Sequence, residues 1–321
     1  MAKKKAAVLI KENIHPRSQH RGAYDFDALI ESVPSFSTFV RPNKHGNTSI
    51  DFGDPAAVKA LNAALLRHHY DVVDWDLPAD YLCPAVPGRA DYIHHLADML
   101  ASFDNNQIPK GPKIKGLDIG VGANCIYPLV ANKEYGWTFV ATDIDTQALK
   151  NVSAIIAKNP QLKDVIECRL QQNEKQIIRK MIWKDDYFDF TVCNPPYYES
   201  AEQAAAANLK KSNNLKKTNE KTSVSNFGGK NKELWCEGGE LYFVLRMIKE
   251  SKNYKNNCFL FSSLISNKLH LEHLTDELKR VGATHHEIIS MSQGHKASRI
   301  LAWTFLTEKA RSIWINHRWA K

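Results

Sequence analysis

The sequence predicts an α/β protein with a mostly parallel sheet and a late antiparallel hairpin, preceded by a small, mainly helical N-terminal region. From about residue 112, short apolar runs alternate with helical patterns, as strand and helix units of a parallel sheet do. A Gly-rich turn follows the first of these runs, where such sheets bind ligands. The length of 321 residues suits one large domain or a core with an appendage. We therefore expect residues 1–97 to form the helical region and residues 98–321 to form the sheet domain.

Periodicity assigns the elements of the sheet domain. Strands are predicted at residues 114–119, 138–142, 165–170, 188–193, 258–264, 287–291 and 300–305. Helices are predicted from the Gly-rich turn through Leu129 and at residues 146–158, 176–183, 240–250 and 271–281. The second of these is the clearest, because Leu149, Val152 and Ile155 share one face. A short polar segment separates the last two strands, so we expect them to form the hairpin.

A lysine-rich segment interrupts the sheet domain at residues 201–232. It contains seven lysines and two acids, with few large apolar residues and many Ser, Asn, Thr and Gly. This composition is typical of a disordered loop. Apolar segments flank it on both sides, so we interpret it as an insert within one domain, disordered without a partner. Residues 1–97 differ in being rich in Pro, His and Arg, with a helical pattern at residues 55–69.

The chain has 43 Lys and Arg against 35 Asp and Glu, which gives a net charge of +8. Lys3, Lys4, Lys5 and the insert carry the whole excess, so the rest of the chain is balanced. This excess indicates an acidic partner, nucleic acid before membrane. No apolar run reaches the roughly 20 residues of a membrane-spanning helix. Six scattered cysteines without a C-x-x-C pair argue against a zinc ribbon or a disulfide framework and favour a reducing cytoplasm.

The Gly-rich turn at residues 117–124 (LDIGVGAN) is the first candidate site, because its glycines let a ligand approach the backbone closely. The dinucleotide pattern G-x-G-x-x-G is incomplete, since Cys125 stands at the third glycine, and this weighs against NAD. Asp118 precedes the turn. Asp143 ends the second strand, where an acid accepts hydrogen bonds from ribose hydroxyls. Two such acids suit S-adenosylmethionine, whose ammonium and ribose donate hydrogen bonds, although an ordinary glycine turn remains the alternative.

The tetrapeptide Asn194-Pro195-Pro196-Tyr197 follows the fourth strand and is the second candidate site. The Asn194 side-chain oxygen and the Pro195 carbonyl can both accept hydrogen bonds from one planar NH2 group. Two fixed acceptors favour the more nucleophilic, pyramidal form of such an amine and the cation that develops on attack. Tyr197 can stack on a flat base turned out of its strand. The alternative, a proline-rich turn after a buried strand, leaves Asn194 and Tyr197 unexplained.

These motifs resemble those of the Rossmann-like, class I S-adenosylmethionine-dependent methyltransferases that act on amino groups. More narrowly, the chain resembles the bacterial ribosomal RNA large subunit methyltransferase F family, which is related to eukaryotic methyltransferase-like RNA adenine N6 enzymes. The further stretches that carry this resemblance are residues 15–17, 51–55, 86–92, 236–240, 293–296 and 299–305. Together they cover nearly the whole chain outside the insert and the extreme N-terminus. The lysine-rich insert is a departure from the family pattern.

The resemblance implies a cofactor, a substrate and a role for each site residue. The cofactor is S-adenosyl-L-methionine, which becomes S-adenosyl-L-homocysteine, and no metal is involved. The substrate is the adenine at position 1618 of 23S ribosomal RNA, methylated on N6 in naked RNA or in an assembling large subunit, by a cytoplasmic monomer. The resemblance assigns the cofactor carboxylate to Arg89, its methionine end to Asp118, Gly120, Gly122 and Asn124, and its ribose to Asp143. It assigns the target adenine and catalysis to Asn194, Pro195, Pro196 and Tyr197, where the eukaryotic relatives have Phe at the last position.

Several of the residue roles, and the function itself, have alternative interpretations. Without the resemblance, Arg89 could equally cap a helix starting near Tyr92. Lys296 and Arg299 are either contacts to RNA phosphate or solvated charges at the hairpin. The N-terminal region is a candidate RNA-binding or substrate region. DNA adenine and a protein glutamine amide present the same NH2 geometry as RNA adenine, and a catalytically silent RNA-binding module is a third possibility, against which the intact Asp143 and NPPY motif argue.

Overall fold

The computed structural model describes residues 12–44, 46–206, 231–293 and 296–319. Its strands are β1 (Val40–Pro42), β2 (Thr48–Ile50), β3 (Lys115–Ile119), β4 (Thr138–Asp143), β5 (Ile166–Leu170), β6 (Phe188–Cys193), β7 (Cys258–Ile265), β8 (His285–Gln293) and β9 (Lys296–Thr304). Its helices are α1 (Phe26–Ser32), α2 (Pro55–Tyr70), α3 (Val86–Ser102), α4 (Ile126–Tyr135), α5 (Thr146–Lys158), α6 (Asn231–Leu234), α7 (Gly239–Ser251), α8 (His270–Val281) and α9 (Glu308–Arg318). Short 3-10 helices lie at Pro34–Phe39, Pro160–Leu162 and Lys252–Tyr254, and residues 201–206 are also helical.

Seven strands form one sheet in the order β5-β4-β3-β6-β7-β9-β8. The first five strands in that order pair in parallel, while β9 pairs antiparallel with both β7 and β8. The prediction of a mostly parallel sheet with a late hairpin is therefore confirmed.

The strand order reverses around β3. Leu117 of this strand lies opposite Val140 of β4 on one side and Thr191 of β6 on the other. The chain proceeds from β3 to β4 and β5 in one direction, then returns to place β6 on the other side of β3. In open α/β sheets, ligands bind outside the carboxyl ends of the strands at such a reversal. Both candidate sites of the sequence follow strands that end there.

Helices cover both faces of the sheet. On one face, Leu96 of α3 and Val152 of α5 are buried in a cluster that includes Phe190 of β6. On the other face, Met247 of α7 and Leu274 of α8 belong to a second buried cluster. The result is a three-layer arrangement that holds the carboxyl ends of the strands in fixed positions.

The N-terminal region shares the first of these clusters. Leu65 of α2 and Leu96 of α3 are fully buried together with Phe139 and Phe190 of the sheet. α3 runs without a break across residues 97 and 98, where the sequence places the domain boundary. The region is mainly helical, with a two-stranded β1–β2 sheet in addition. The division into residues 1–97 and 98–321 stays a prediction.

The predicted helix at residues 176–183 is wrong, because this segment consists of turns and bends. The Glu250 carboxylate accepts hydrogen bonds from the N–H groups of Ile177, Ile178 and Arg179, at 3.0, 2.8 and 3.0 Å. Lys180 then takes a left-handed conformation with φ of 69°. The left-handed residue interrupts the helical path in the middle of the segment, while Glu250 satisfies the N–H groups at its start.

The insert predicted at residues 201–232 is described only at its ends. The Leu234 carbonyl, at the end of α6, accepts hydrogen bonds from the N–H groups of Tyr197 and Tyr198 at 3.1 and 3.0 Å. The residues after the insert therefore pair with those before it. Residues 207–230 and Lys3 to Lys5 lie outside the described residues. Within the described part of the chain, none of the helices has the length and apolar character needed to cross a membrane.

Candidate active site

The Gly-rich turn joins β3 to α4 at the reversal of the strand order. The N–H groups of Gly120 and Val121 both donate to the Thr142 carbonyl at 2.9 Å, which ties the turn to the end of β4. Gly122 has φ of 63°, and a Cβ at this position would lie 3.1 Å from Asn124 Nδ2. The left-handed backbone and the close neighbour together require glycine here.

Asp143 ends β4 beside the turn. Its Oδ2 accepts a hydrogen bond from the Gly122 N–H at 2.8 Å, and its Oδ1 accepts one from the Asp145 N–H at 2.8 Å. Burial raises the pKa of Asp143, and these backbone hydrogen bonds oppose the shift without cancelling it. The carboxylate is therefore held in one orientation, with lone pairs left for a ligand hydroxyl.

Asp118 lies on β3 directly before the turn and is 1% exposed. Neither of its carboxylate oxygens has a hydrogen-bond partner among the described residues. Burial and then the charge of Asp143 raise the pKa of Asp118 well above its ordinary range, while Arg89 acts in the opposite direction. A buried carboxylate without a donor is unfavourable. The position therefore fits a ligand group that donates hydrogen bonds or carries positive charge.

Arg89 lies in the first turn of α3, so it does not cap a helix that starts near Tyr92. Its guanidinium carbon is 5.6 Å from the centre of the Tyr127 ring. Burial by itself would lower the pKa of Arg89, but Tyr127, Tyr197 and Asp118 outweigh burial and raise it. The guanidinium therefore stays charged and can pair with a ligand carboxylate.

The NPPY segment leaves the end of β6 at the same edge of the sheet. The Tyr197 hydroxyl donates a hydrogen bond to Asn194 Oδ1 at 2.5 Å. Burial raises the pKa of this hydroxyl, and the charge of Arg89 opposes the shift. The oxygen that the sequence assigns to a substrate amine is thus occupied by a neutral donor from the same motif. A substrate amine can take its place, since both groups donate hydrogen bonds.

A cavity of about 600 Å³ opens at the carboxyl ends of β3, β4 and β6. This volume lies in the range of pockets that hold cofactors. The structure brings seven of the residues predicted for the two sites into its wall: Arg89, Gly120, Gly122, Asn124, Asp143, Asn194 and Pro196. Asp118, Pro195 and Tyr197 do not line the cavity, although Asp118 and Tyr197 are near enough to Arg89 to raise its pKa.

One wall of this cavity was not predicted from the sequence and comes from the chain after the insert. The residues of this wall are Glu233, Trp235, Cys236, Glu237, Phe243 and Arg246. Burial raises the pKa of Glu233 to about 7. The return of large apolar residues from Leu234 onward signals a folded segment after the insert. That signal does not reveal which of these side chains face a ligand.

Glu240, in the first turn of α7, is 1% exposed and connects this wall to the loop after β7. Its carboxylate accepts hydrogen bonds from the N–H groups of Ser266 and Asn267 at 2.7 and 3.2 Å. It also contacts His270 Nδ1 at 2.8 Å. This acid therefore fixes the loop after β7, in addition to its place at the entry of a helix.

The two candidate RNA contacts lie on β9. Arg299 lies opposite Ile265 at the end of β7, and its Nη1 donates to the Ser266 carbonyl at 3.4 Å. Lys296 begins β9, but its side chain lies outside the described residues. Within the described ranges, no group of three or more His, Cys, Asp or Glu side chains is placed to hold a metal ion.

Comparisons with known proteins agree on one family. A family model described as RNA methyltransferase matches residues 8–307. The ribosomal RNA large subunit methyltransferase F of Yersinia enterocolitica is 48% identical over 320 residues, covering 99% of this chain and 96% of its own length. The protein of the same name from Yersinia pseudotuberculosis is 49% identical over 322 residues, covering 100% of this chain and 96% of its own length.

Solved structures show the same fold. The catalytic domain of human METTL16 in complex with a MAT2A 3′UTR hairpin has a TM-score of 0.75 and 29% identity, covering 92% of this chain and 96% of that chain. The N-terminal domain of human METTL16 in complex with SAH has a TM-score of 0.71 and 29% identity, covering 92% of this chain and 99% of that chain. The predicted methyltransferase fold is confirmed. Because the family model spans most of the chain and the Yersinia relatives match it from end to end, this protein belongs to the RNA methyltransferase family.

Proposed function

We propose that the protein transfers a methyl group from S-adenosyl-L-methionine to the N6 amine of an adenine in large-subunit ribosomal RNA. One observation carries the proposal: Asp143 with the glycine turn, and Asn194 with Pro196, line two parts of one cavity. A methyl donor held by the first part faces an amine held by the second. The names of the Yersinia relatives support ribosomal RNA as the substrate, and the resemblance in motifs supports the adenine at position 1618 of 23S rRNA.

The first part of the cavity fits each polar group of this cofactor. Asp143, oriented by the Gly122 N–H, accepts hydrogen bonds from the ribose hydroxyls. Asp118 accepts from the ammonium group, which supplies the donor that its buried oxygens otherwise lack among the described residues. Arg89 pairs with the carboxylate. The bound cofactor supplies an electrophilic methyl group.

The second part of the cavity positions the amine. Asn194 Oδ1 and the Pro195 carbonyl accept hydrogen bonds from the two N–H groups of the amine. This arrangement directs the nitrogen lone pair toward the methyl group. The Tyr197 hydroxyl first releases its hydrogen bond to Asn194. The Tyr197 ring then stacks on the adenine, which has turned out of its strand. A strong general base is unnecessary, because the alkylated nitrogen becomes acidic and loses its proton readily.

The proposal extends to partners and location. The substrate is 23S rRNA, either naked or in an assembling subunit, and residues 1–97 together with Lys296 and Arg299 contact it. The protein acts as a monomer in the cytoplasm. A reducing compartment is supported by its six cysteines, which are all free thiols.

The test is transfer of labelled methyl to large-subunit RNA from cells that lack this gene, with the modified base mapped by mass spectrometry. We expect one labelled adenine and no transfer to RNA from cells that carry the gene. Transfer to duplex DNA or to a protein glutamine instead would overturn the RNA assignment. Binding of RNA without transfer to any substrate would favour the silent RNA-binding module.

A further inference from the structure

Glu233 lines the cavity and contacts the glycine turn. Its Oε2 accepts a hydrogen bond from the Leu82 N–H at 3.0 Å. Its carboxylate also accepts one from the Ala123 N–H, and its Oε1 would lie 3.2 Å from a Cβ placed on Gly122. Glu233 therefore joins the segment that precedes α3 to the glycine turn.

The next residue, Leu234, holds the base-binding segment. Its carbonyl accepts hydrogen bonds from the N–H groups of Tyr197 and Tyr198 at 3.1 and 3.0 Å. Tyr198 also forms a parallel bridge with Trp235, and its carbonyl accepts from the Cys236 N–H at 3.1 Å. The NPPY backbone therefore depends for its position on the same short stretch of chain that carries Glu233.

The charge of a bound cofactor affects the ionisation of Glu233 and so the strength of its hydrogen bonds. Burial raises the pKa of Glu233 to about 7, Asp143 and Asp145 add to the shift, and the backbone hydrogen bonds oppose it. A positively charged group in the cavity favours the ionised carboxylate. The ionised form accepts backbone hydrogen bonds more strongly than the protonated form. A cationic cofactor thus fixes Glu233, and through the peptide chain it fixes Leu234.

Building on the methyltransferase function proposed above, we propose that Glu233 is a positioning residue that couples cofactor binding to RNA binding. Because coupling of two ligands is reciprocal, each should tighten the binding of the other. A cofactor whose sulfur carries positive charge should couple more strongly than the neutral product. The enzyme would then hold RNA most firmly while the methyl donor is bound and release it more easily after transfer.

The experiment measures the affinity for unmodified 23S rRNA transcript without cofactor, with S-adenosylhomocysteine and with sinefungin, a cationic analogue that donates no methyl group. For the unmodified protein, we expect saturating sinefungin to tighten RNA binding about fivefold or more, and S-adenosylhomocysteine to have a smaller effect. Glu233→Gln should lose most of the sinefungin effect, measured within this variant as the ratio of its RNA affinities with and without sinefungin. Calorimetry should show the reciprocal loss, so that RNA no longer tightens the binding of sinefungin to this variant.

Two further variants separate this role from general effects. Glu272→Gln removes one exposed carboxylate from α8 and should keep the full sinefungin effect, which controls for charge. Glu233→Asp keeps the charge with a shorter reach and should recover part of the effect, which keeps the test valid if Glu233→Gln folds poorly. Equal RNA affinity with and without sinefungin in the unmodified protein, or full coupling in Glu233→Gln, would overturn the inference. The methyl-transfer assay reports separately on the proposed function, which survives either of these results.

Discussion

The Tyr197 hydroxyl donates a hydrogen bond to Asn194 Oδ1 at 2.5 Å, and this bond occupies the acceptor that a substrate amine needs. A base amine that binds this oxygen therefore meets the Tyr197 hydroxyl, which already takes one of its two lone pairs. A phenylalanine at the same position would stack on a base equally well but could not occupy the acceptor. The tyrosine thus makes base binding a competition between two donors for one oxygen.

Tyr197→Phe should strengthen the binding of RNA because it removes the competing donor and keeps the ring. One neutral hydrogen bond has a net value of about 1 kcal/mol, so we expect the KM for RNA to fall about fivefold, with kcat changed little. Steady-state methyl transfer to RNA provides both constants. Tyr197→Ala, which removes the ring as well, should lose most of kcat/KM. A higher KM for Tyr197→Phe than for the unmodified protein would show that the hydroxyl assists base binding.

Asn194→Ala should abolish the positioning of the amine while leaving the cofactor part of the cavity intact. Loss of one preorganised electrostatic group typically lowers kcat by about 10²- to 10³-fold. We expect a decrease of this size in single-turnover methyl transfer. Calorimetry should give an unchanged affinity for S-adenosylhomocysteine, because Asp143 and Gly122 keep their hydrogen bond. Full activity in this variant would show that amine activation does not depend on Asn194.

The sequence predicted most of the fold because apolar periodicity is a local property of each element. The helix at Thr146–Lys158 and the strand at Phe188–Cys193 have the predicted bounds. The helix predicted at residues 176–183 was wrong because Lys180 takes a left-handed conformation, which apolar periodicity does not report. Local patterns thus succeed where the neighbours along the chain determine the structure.

The residues of the candidate site also divide into those that local sequence patterns predict and those that depend on tertiary contacts. Asp143 and Asn194 could be predicted because parallel strands deliver their carboxyl ends to one edge, and the structure places both residues in one cavity wall. Glu233 could not be predicted in this way. It follows a long polar insert, and it reaches the cavity only because the chain after the insert pairs with Tyr197 and Tyr198. Such a pairing depends on tertiary structure rather than on spacing in the sequence.

Asp118→Asn should change stability in a pH-dependent manner. The pKa of Asp118 is raised in the folded protein, so the folded state retains a proton that the unfolded chain releases above its ordinary pKa of about 3.9. Stability of the unmodified protein therefore falls as pH rises above that value. Asparagine does not ionise, so the variant should melt at a higher temperature than the unmodified protein at pH 7, and the difference should disappear near pH 4.

The same variant should bind the cofactor less well. If the buried Asp118 carboxylate accepts from the ammonium group, its neutral replacement loses a charge-assisted hydrogen bond. Calorimetry without RNA should show weaker binding of both S-adenosylmethionine and S-adenosylhomocysteine, because both carry this ammonium. A variant that melts higher and keeps full affinity would place the ligand ammonium elsewhere.

Asp189 on β6 anchors the C-terminal helix α9 and should dominate its stability. The carboxylate is fully buried. It accepts hydrogen bonds from the indole N–H groups of Trp314 and Trp319, each at 2.7 Å, and from Arg318 Nη2 at 2.8 Å. Removing one partner of a buried ion pair costs about 3–5 kcal/mol, so Asp189→Ala should lower the free energy of unfolding in urea by about this amount.

The matched control for Asp189 is Asp276, whose carboxylate pairs with Lys279 at 3.0 Å on the surface of α8. Exposed ion pairs are worth about 0–1 kcal/mol. Asp276→Ala should therefore change the free energy of unfolding by less than 1 kcal/mol. Similar losses of unfolding free energy in the two variants would mean that burial does not determine how much the Asp189 contacts stabilise the protein.

The lysines of the insert should control the salt dependence of RNA binding, because the insert and Lys3 to Lys5 carry the whole positive excess of the chain. Each lysine that neutralises a phosphate contributes about 0.7–0.9 to the slope of log affinity against log salt. Replacing the seven insert lysines with glutamine should therefore weaken binding at low salt and flatten the slope. Glutamine at the exposed Lys279 and Lys309, on α8 and α9, should leave the slope unchanged. An unaltered slope in a variant that lacks the insert lysines and also Lys3, Lys4 and Lys5 would locate the RNA surface in the charge-balanced body, where only locally clustered charges could build it.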